Sequence, residues 1–227
     1  MTRQVKSRQR VADFGEVNTA EREVRAMCDL VKAETERIDS RFLEPACGDG
    51  NFLVEILSRK LAMVKKKYKK FPADYEKYSV LAISTLYGVD ILQDNCEACR
   101  ERLYAIWDRE YKAVCKREVN EDCRRSVRFI LSRNIVCGNA LSMMCVDDGQ
   151  KDTEEPIIFS EWAFVTGYQL QRSDYSFEAL LRNEDKGRDL FGKREEQASF
   201  LEEQPSDEGE FLKKYVTHYR EVWRDAQ

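Results

Sequence analysis

Short apolar runs alternate with amphipathic stretches along most of the chain, the pattern of strands followed by helices. After a polar, basic opening of about 20 residues, Val24, Met27, Cys28 and Val31 recur at helical spacing. Thr19 stands where a cap would, with Arg22 at the position where a capping box wants Glu. Arg41–Pro45 is a short apolar run cut by proline and predicts a buried strand. Ala46–Gly50 is a glycine loop, and Asn51–Leu57 opens a helix. Lys65–Lys70 marks a helix end, and Ser79–Ile83 belongs to a further apolar helix. Thr85–Ile91 predicts a second strand ending in an acid, Asn95–Tyr111 a charged helix, and Asn134–Leu141 a third strand with its turn. Pro156–Ser160 predicts a fourth strand. Strand, helix, strand, helix, strand implies an α/β fold, a parallel sheet with helices on both faces.

The pattern weakens beyond Gly167. Glu195–Glu210 carries seven acids and no base, together with Pro205 and Gly209, and reads as a linker or solvated loop. Phe211–Trp223 suits a terminal helix or a docking strand. The expected organisation is therefore an arm and helix over 1–40, a main domain over 41–180, and an acidic linker with a terminal segment over 181–227.

The 227 residues, 42% of them apolar, suffice for one packed domain. Lys and Arg number 38 against 42 Asp and Glu, which argues against binding nucleic acid by bulk charge while leaving room for a local basic groove. The charge-free stretch Asn134–Val146 is too short to span a membrane, which needs roughly 20 apolar residues, and the opening lacks the apolar block of a secretory signal. The eight cysteines accordingly read as reduced thiols of a cytoplasmic protein. With a single histidine, His218 near the end, chemistry that relies on a His base, such as a Ser-His-Asp triad, or on several His ligands is not expected.

The strongest candidate chemistry lies at the glycine loop, between a strand and a helix. Glycines there let the backbone turn tightly and approach a ligand, at the sheet edge where α/β proteins bind their ligands. A dinucleotide fingerprint fails, because Leu53 stands where its third glycine belongs. A phosphate loop fails as well, because no Gly-Lys-Ser/Thr follows. The segment Glu44, Pro45, Ala46, Cys47, Gly48, Asp49, Gly50, Asn51, Phe52, Leu53 instead resembles motif I of class I S-adenosylmethionine (SAM)-dependent methyltransferases, in the form used by adenine-N6 DNA methylases. The resemblance covers about residues 11–160. It implies a Rossmann-like, doubly wound, mostly parallel sheet with SAM as cofactor. SAM carries no phosphate, so a loop without lysine suits it.

Three more segments follow in that family's order. Phe14, Gly15 and Thr19 resemble motif X, which covers the methionine end of the cofactor, although Asn18 and Ala20 depart from the usual pattern and the same residues could form a plain helix cap. Asp90, with Ile91 after it, matches motif II, where an acid accepts hydrogen bonds from the ribose hydroxyls; it could equally cap the following helix. It lies 42 residues beyond Gly48, where a minimal unit needs about 20, an excess that the lysine-rich stretch could supply. Asn139, Ala140 and Leu141 match motif III, with Asn139 in place of the acid that meets the adenine amino group, or else form an ordinary turn.

The fourth motif, [Asn/Asp/Ser]-Pro-Pro-aromatic, is missing: the four prolines are Pro45, Pro72, Pro156 and Pro205. In its slot stand Ser160, Glu161 and Trp162, where Ser160 could act as the polar residue, Glu161 as amine acceptor and Trp162 as stacking ring, or where a strand simply ends in a buried tryptophan. The resemblance implies a DNA adenine-N6 methyltransferase of a restriction-modification or related defence system. The missing prolines keep two alternatives open: a SAM-binding, weakly active subunit that needs a partner chain, and a methyltransferase with a non-DNA substrate. No long target-recognition region follows residue 165, so DNA recognition would call for a partner specificity or restriction subunit. Cys96 and Cys99 have zinc-like spacing but sit in a helical pattern without a second pair, and read as buried helix residues; no metal is expected. Tyr104, Trp107 and Tyr111 read as packing residues, and Lys65–Lys70 as a solvated helix face.

Overall fold

The computed structural model describes Arg10, residues 19–180 and residues 212–226. Phe14 and Gly15, most of the basic arm and the acidic stretch 195–210 lie outside the described residues.

Two helices, α1 (Glu21–Leu30) and α2 (Lys32–Thr35), precede strand β1 (Phe42–Glu44). Then come α3 (Asn51–Tyr68), α4 (Pro72–Ser84), β2 (Leu86–Asp90), α5 (Gln93–Cys115), α6 (Glu121–Asn134) and β3 (Ile135–Asn139). A short antiparallel pair, β4 (Met144–Val146) and β5 (Asp152–Pro156), leads to β6 (Ile158–Thr166), β7 (Gln169–Ser176) and β8 (Lys213–His218). The described strands form two sheets, in the orders β1-β2-β3-β4-β5 and β6-β7-β8.

β1, β2 and β3 run parallel, with Phe42 opposite Leu86 and Asp90 opposite Cys137. Their backbones pair in the interior, so the residues between them are nearly all apolar. Helix α3 buries Leu53, Ile56, Leu57, Leu61 and Val64, an i, i+3, i+4 stripe that lies against the sheet. Helix α5 buries Leu103, Trp107 and Tyr111, with Trp107 stacked on Tyr111 at 4.7 Å. Each of these buried side chains contributes about 1.5–3 kcal/mol of apolar burial, an upper figure.

Expectations change for the sheet's second face, for the fourth strand and for the cap at Thr19. The helices gather in one large core that also takes in Phe42, Leu86 and Ile135, whereas the alternate strand positions Leu43, Tyr87, Val89 and Val136 meet Ile157, Phe159 and Phe177. The second face of the sheet is thus covered by the start of the antiparallel sheet and by the helical residues Phe177 and Leu180, and among the described residues the parallel strands add in one direction, without the reversal of a doubly wound sheet. The fourth strand is the second correction. Pro156 and Ile157 break the chain between β5 and β6, and β6 leaves the parallel sheet to pair antiparallel with β7. Proline has no N–H to give a ladder, so the run splits there. The helix after Thr19 is capped at Ala20 without a side-chain bond, so Thr19 is no cap. The long spacing between Gly48 and Asp90 is filled by α4, a whole extra helix begun by Pro72.

Two buried charges stitch the layers. Glu76 in α4 accepts bonds from Tyr111, Tyr219 and the Arg220 guanidinium, tying the terminal segment to the helical layer. Lys60 in α3 is fully buried and donates to the carbonyls of Ile38 and Ser40 and to Thr85 Oγ1, at the amino ends of β1 and β2. Burial lowers the Lys60 ammonium to about 7, against partial support from Asp39 and Glu34. The unfolded lysine still holds its proton up to about pH 10.4, so between 7 and that value the unfolded chain binds more protons and stability rises with pH. We expect the stability of wild type over Lys60→Met to grow by up to about 1.4 kcal/mol per pH unit across that window, as read by urea melts; a pH-independent difference would show that Lys60 keeps its ordinary affinity for protons.

Candidate cofactor site

The carboxyl ends of β1, β2 and β3 open into a cavity of about 510 Å³, within the range of small-molecule sites. From the first strand and its loop it takes Glu44, Pro45, Ala46, Cys47, Gly48 and Phe52. From the second it takes Asp90 and Ile91, from the third Asn139, Ala140 and Leu141, and Thr19 lines it as well. The structure therefore brings together every described residue expected for the cofactor except Gly50. Asp49, Asn51, Leu92, Asn95 and Gly138 line the cavity too and were missed. Their signal was adjacency to the motifs on a loop or helix start, which spacing alone does not turn into orientation.

Gly50 sits behind the loop and acts through shape. Its φ of +91° is a left-handed conformation, and a Cβ there would come within 2.6 Å of Cys99 Sγ. Gly48 also has a positive φ, 52°. Its N–H donates to Asp90 Oδ2 at 2.9 Å, while Asp90 Oδ1 accepts from Leu92 N at 2.9 Å and Asn95 Nδ2 at 3.0 Å. Both readings of Asp90 thus hold in one residue: it secures the start of α5 and ties down the glycine loop. A carboxylate has about four acceptor positions, and these three bonds leave room for one more donor from the cavity. Asn139 Oδ1 accepts from Leu141 N and its amide donates to Asp152, so a turn role is occupied by the same side chain. Leu141 stands almost wholly exposed on the rim, an apolar surface for a ring.

Three carboxylates, Glu44, Asp49 and Asp90, line the cavity, and no Lys or Arg among the described residues does. The Arg102 guanidinium lies behind the loop, 2.7 Å from the Asp49 carboxylate. Burial raises Glu44 above the usual carboxylate range, opposed by the Ala46 N–H. Beneath the loop the thiols of Cys47, Cys96 and Cys99 touch. Contact with Cys96 lowers Cys47, but Cys99 and burial outweigh it and raise the thiol, and Cys47 with burial raises Cys96. These cysteines pack as thiols: among the described residues no group of three or more His, Cys, Asp or Glu is arranged to hold a metal ion.

Ser160, Glu161 and Trp162 do not reach this cavity. Ser160 is buried and donates to Asp174 Oδ1 at 2.6 Å, in a network with Arg172. Glu161 pairs with Arg41. Trp162 is 2% exposed, donates to Asn134 Oδ1 at 2.8 Å and meets the Phe129 ring edge-on. A ring closed in on both faces cannot receive a base, and the strand that carries all three has moved to the second sheet.

The fold and cavity define an α/β protein with an acidic, nucleoside-sized crevice at the carboxyl ends of its parallel strands. The sequence model of the family described as MmeI, DNA-methyltransferase domain, matches residues 17–178, and the chain belongs to this family of restriction-modification DNA methyltransferases. No curated protein and no solved structure matches the chain significantly. No described helix is long and apolar enough to cross a membrane.

The packing behind the loop is directly testable. We expect Gly50→Ala to cost about 1–3 kcal/mol from the left-handed backbone, with more from the Cys99 contact. Adding Cys99→Ala should recover part of the loss in a thermal melt, leaving the backbone share. Full recovery, or none, would contradict this division.

Proposed function

We propose that the chain is the cofactor-binding part of a SAM-dependent DNA methyltransferase of the adenine-N6 type. The observation that carries this reading is the lining of the crevice: carboxylates and a glycine loop, with no Lys or Arg among the described residues that line it. A sulfonium nucleoside is cationic at sulfur and carries an ammonium group, so this lining attracts it and repels phosphorylated nucleotides. Asp90 would accept from a ribose hydroxyl, and Glu44 would face the ammonium end. Asn139 and Leu141 would border the adenine. The loop backbone at Gly48 would lie along the aminoacid tail, with Thr19 and, by resemblance, Phe14 and Gly15 over it. SAM supplies an activated methyl group when bound. The chain's own residues then bind and align it and keep the crevice closed behind.

One observation favours the reading in which base chemistry is delegated. Ser160 and Trp162 are committed to internal bonds and Glu161 to Arg41, so the three residues in the slot of the fourth motif do not serve as amine acceptor and stacking ring at the crevice. The acceptor half then comes from a partner chain, which would also select the DNA sequence. This protein's role would be that of a cofactor-loaded subunit.

Calorimetric titration tests the binding. SAM and S-adenosylhomocysteine should bind, whereas ATP and NAD should not. Asp90→Asn should weaken SAM by about 10–100-fold, the scale of a charge-assisted hydrogen bond. Absence of SAM binding, or ATP binding as well as SAM, would contradict the reading.

A further inference from the structure

We infer that Arg10 is a positioning residue of the cofactor crevice: acting through Asn95, its guanidinium sets the Asp90 carboxylate to take a ribose hydroxyl. The inference rests on the methyltransferase reading and adds to that site a residue of the basic opening of the chain.

Arg10 reaches the start of α5. Its Nη1 donates to Asp94 Oδ2 at 2.6 Å, and its Nη2 donates to Asp94 Oδ1 at 3.1 Å and to Asn95 Oδ1 at 3.2 Å. Asp94 is more than half exposed, whereas Asn95 is buried and borders the crevice. The Asn95 amide in turn donates to Asp90 Oδ1 at 3.0 Å. Chemistry fixes the direction of this relay. A guanidinium only donates and a carboxylate only accepts, so an asparagine between them turns its oxygen to Arg10 and its nitrogen to Asp90. Asp90 Oδ1 then carries two bonds, from Asn95 and from Leu92 N, while Oδ2 carries one, from Gly48 N. The carboxylate is held at one angle, with a position on Oδ2 left for a donor in the crevice. Without the guanidinium the Asn95 amide gains a second orientation, in which its oxygen faces the Asp90 carboxylate and repels it. The acceptor position then no longer has a single place.

The same device recurs across the crevice. Arg102 Nη2 donates to Asn51 Oδ1 at 2.9 Å, and Asn51 Nδ2 donates to Thr19 O at 3.3 Å. Asn51 and Thr19 both line the crevice. Each asparagine stands in the first turn of a helix that starts at the crevice, α3 or α5. Each gives its oxygen to an arginine behind the lining and its amide to a group that shapes the cavity. Arg10 does not line the crevice itself, so its effect on a ligand passes through Asn95. The half-exposed pair with Asp94 contributes little on its own and serves to hold the guanidinium against Asn95.

The test titrates the full chain calorimetrically with S-adenosylhomocysteine and with its analogue that lacks both ribose hydroxyls. Wild type should prefer the hydroxylated ligand by about 10–100-fold, the scale of a charge-assisted hydrogen bond. Arg10→Ala should cut that preference by about 3–10-fold, the scale of one ordinary hydrogen bond, and should bind the analogue and melt as wild type does. A general loosening of the crevice would instead weaken both ligands alike. In an Asn95→Ala chain, whose preference is already reduced, Arg10→Ala should add nothing. The inference is overturned if wild type binds the two ligands equally, if Arg10→Ala keeps the full preference or weakens both ligands alike, or if its effect persists undiminished beside Asn95→Ala. A wild-type chain that binds neither ligand would remove the cofactor reading and this inference with it, whereas each of the other contrary results leaves S-adenosylhomocysteine binding in place and removes this inference alone.

Discussion

One carboxylate holds the crevice in shape. Asp90, at the end of β2, receives the Gly48 N–H from the loop after β1 and the Leu92 N–H from the start of α5. Three chain segments thereby meet on a single side chain, and the loop is fixed where its positive-φ glycines can turn. The loop is held further by Cys47 N–H on Val89 O, by Gly50 N–H on Cys47 O and by Arg102 on Asp49 and Asn51, while Gly50 also leaves the space that Cys99 fills. The buried thiols of Cys47, Cys96 and Cys99 fill the space below, and the cavity opens above. The acidic lining follows from the same arrangement, because Glu44 and Asp90 both sit at the carboxyl ends of neighbouring parallel strands, with Asp90 two residues beyond Gly88, the partner of Glu44.

The amino ends of the strands use the opposite device. Lys60 is carried there by α3 and is satisfied by two carbonyls and Thr85 Oγ1, while Glu76 gathers two tyrosines and Arg220 further along the helical layer. Burying a charge is costly unless it is paired or hydrogen-bonded. Each of these groups therefore specifies its neighbours closely, and the helical face becomes a rigid support for the loop.

Much of this was legible from residue order. The run Phe42–Glu44, the loop to Gly50 and the apolar stripe of α3 are local features, and local propensity places them correctly. Asp90 and Asn139 were found because they close apolar strand runs in the order of the family's motifs, despite the long spacing after Gly48. Position in the second half was not legible. Ile158–Ser160 has the composition of a buried strand, but whether such a strand joins the parallel sheet or turns into a hairpin is decided by long-range pairing. Here the Gly167 turn and the extended match of β6 with β7 decide it. Trp162 carried the same ambiguity: its indole found Asn134, a partner 28 residues away that no periodicity announces. Helix α6 was not expected either, although Asn120 caps it by accepting from Cys123 N.

The central claim is that the acidic crevice holds a sulfonium nucleoside. Photolabelling with methyl-tritiated SAM followed by peptide mapping addresses it most directly. The account predicts label in the peptides that contain Glu44–Phe52 or Asn139–Leu141, suppressed by excess S-adenosylhomocysteine and unaffected by ATP. Label confined to other peptides, or insensitive to S-adenosylhomocysteine, would contradict it.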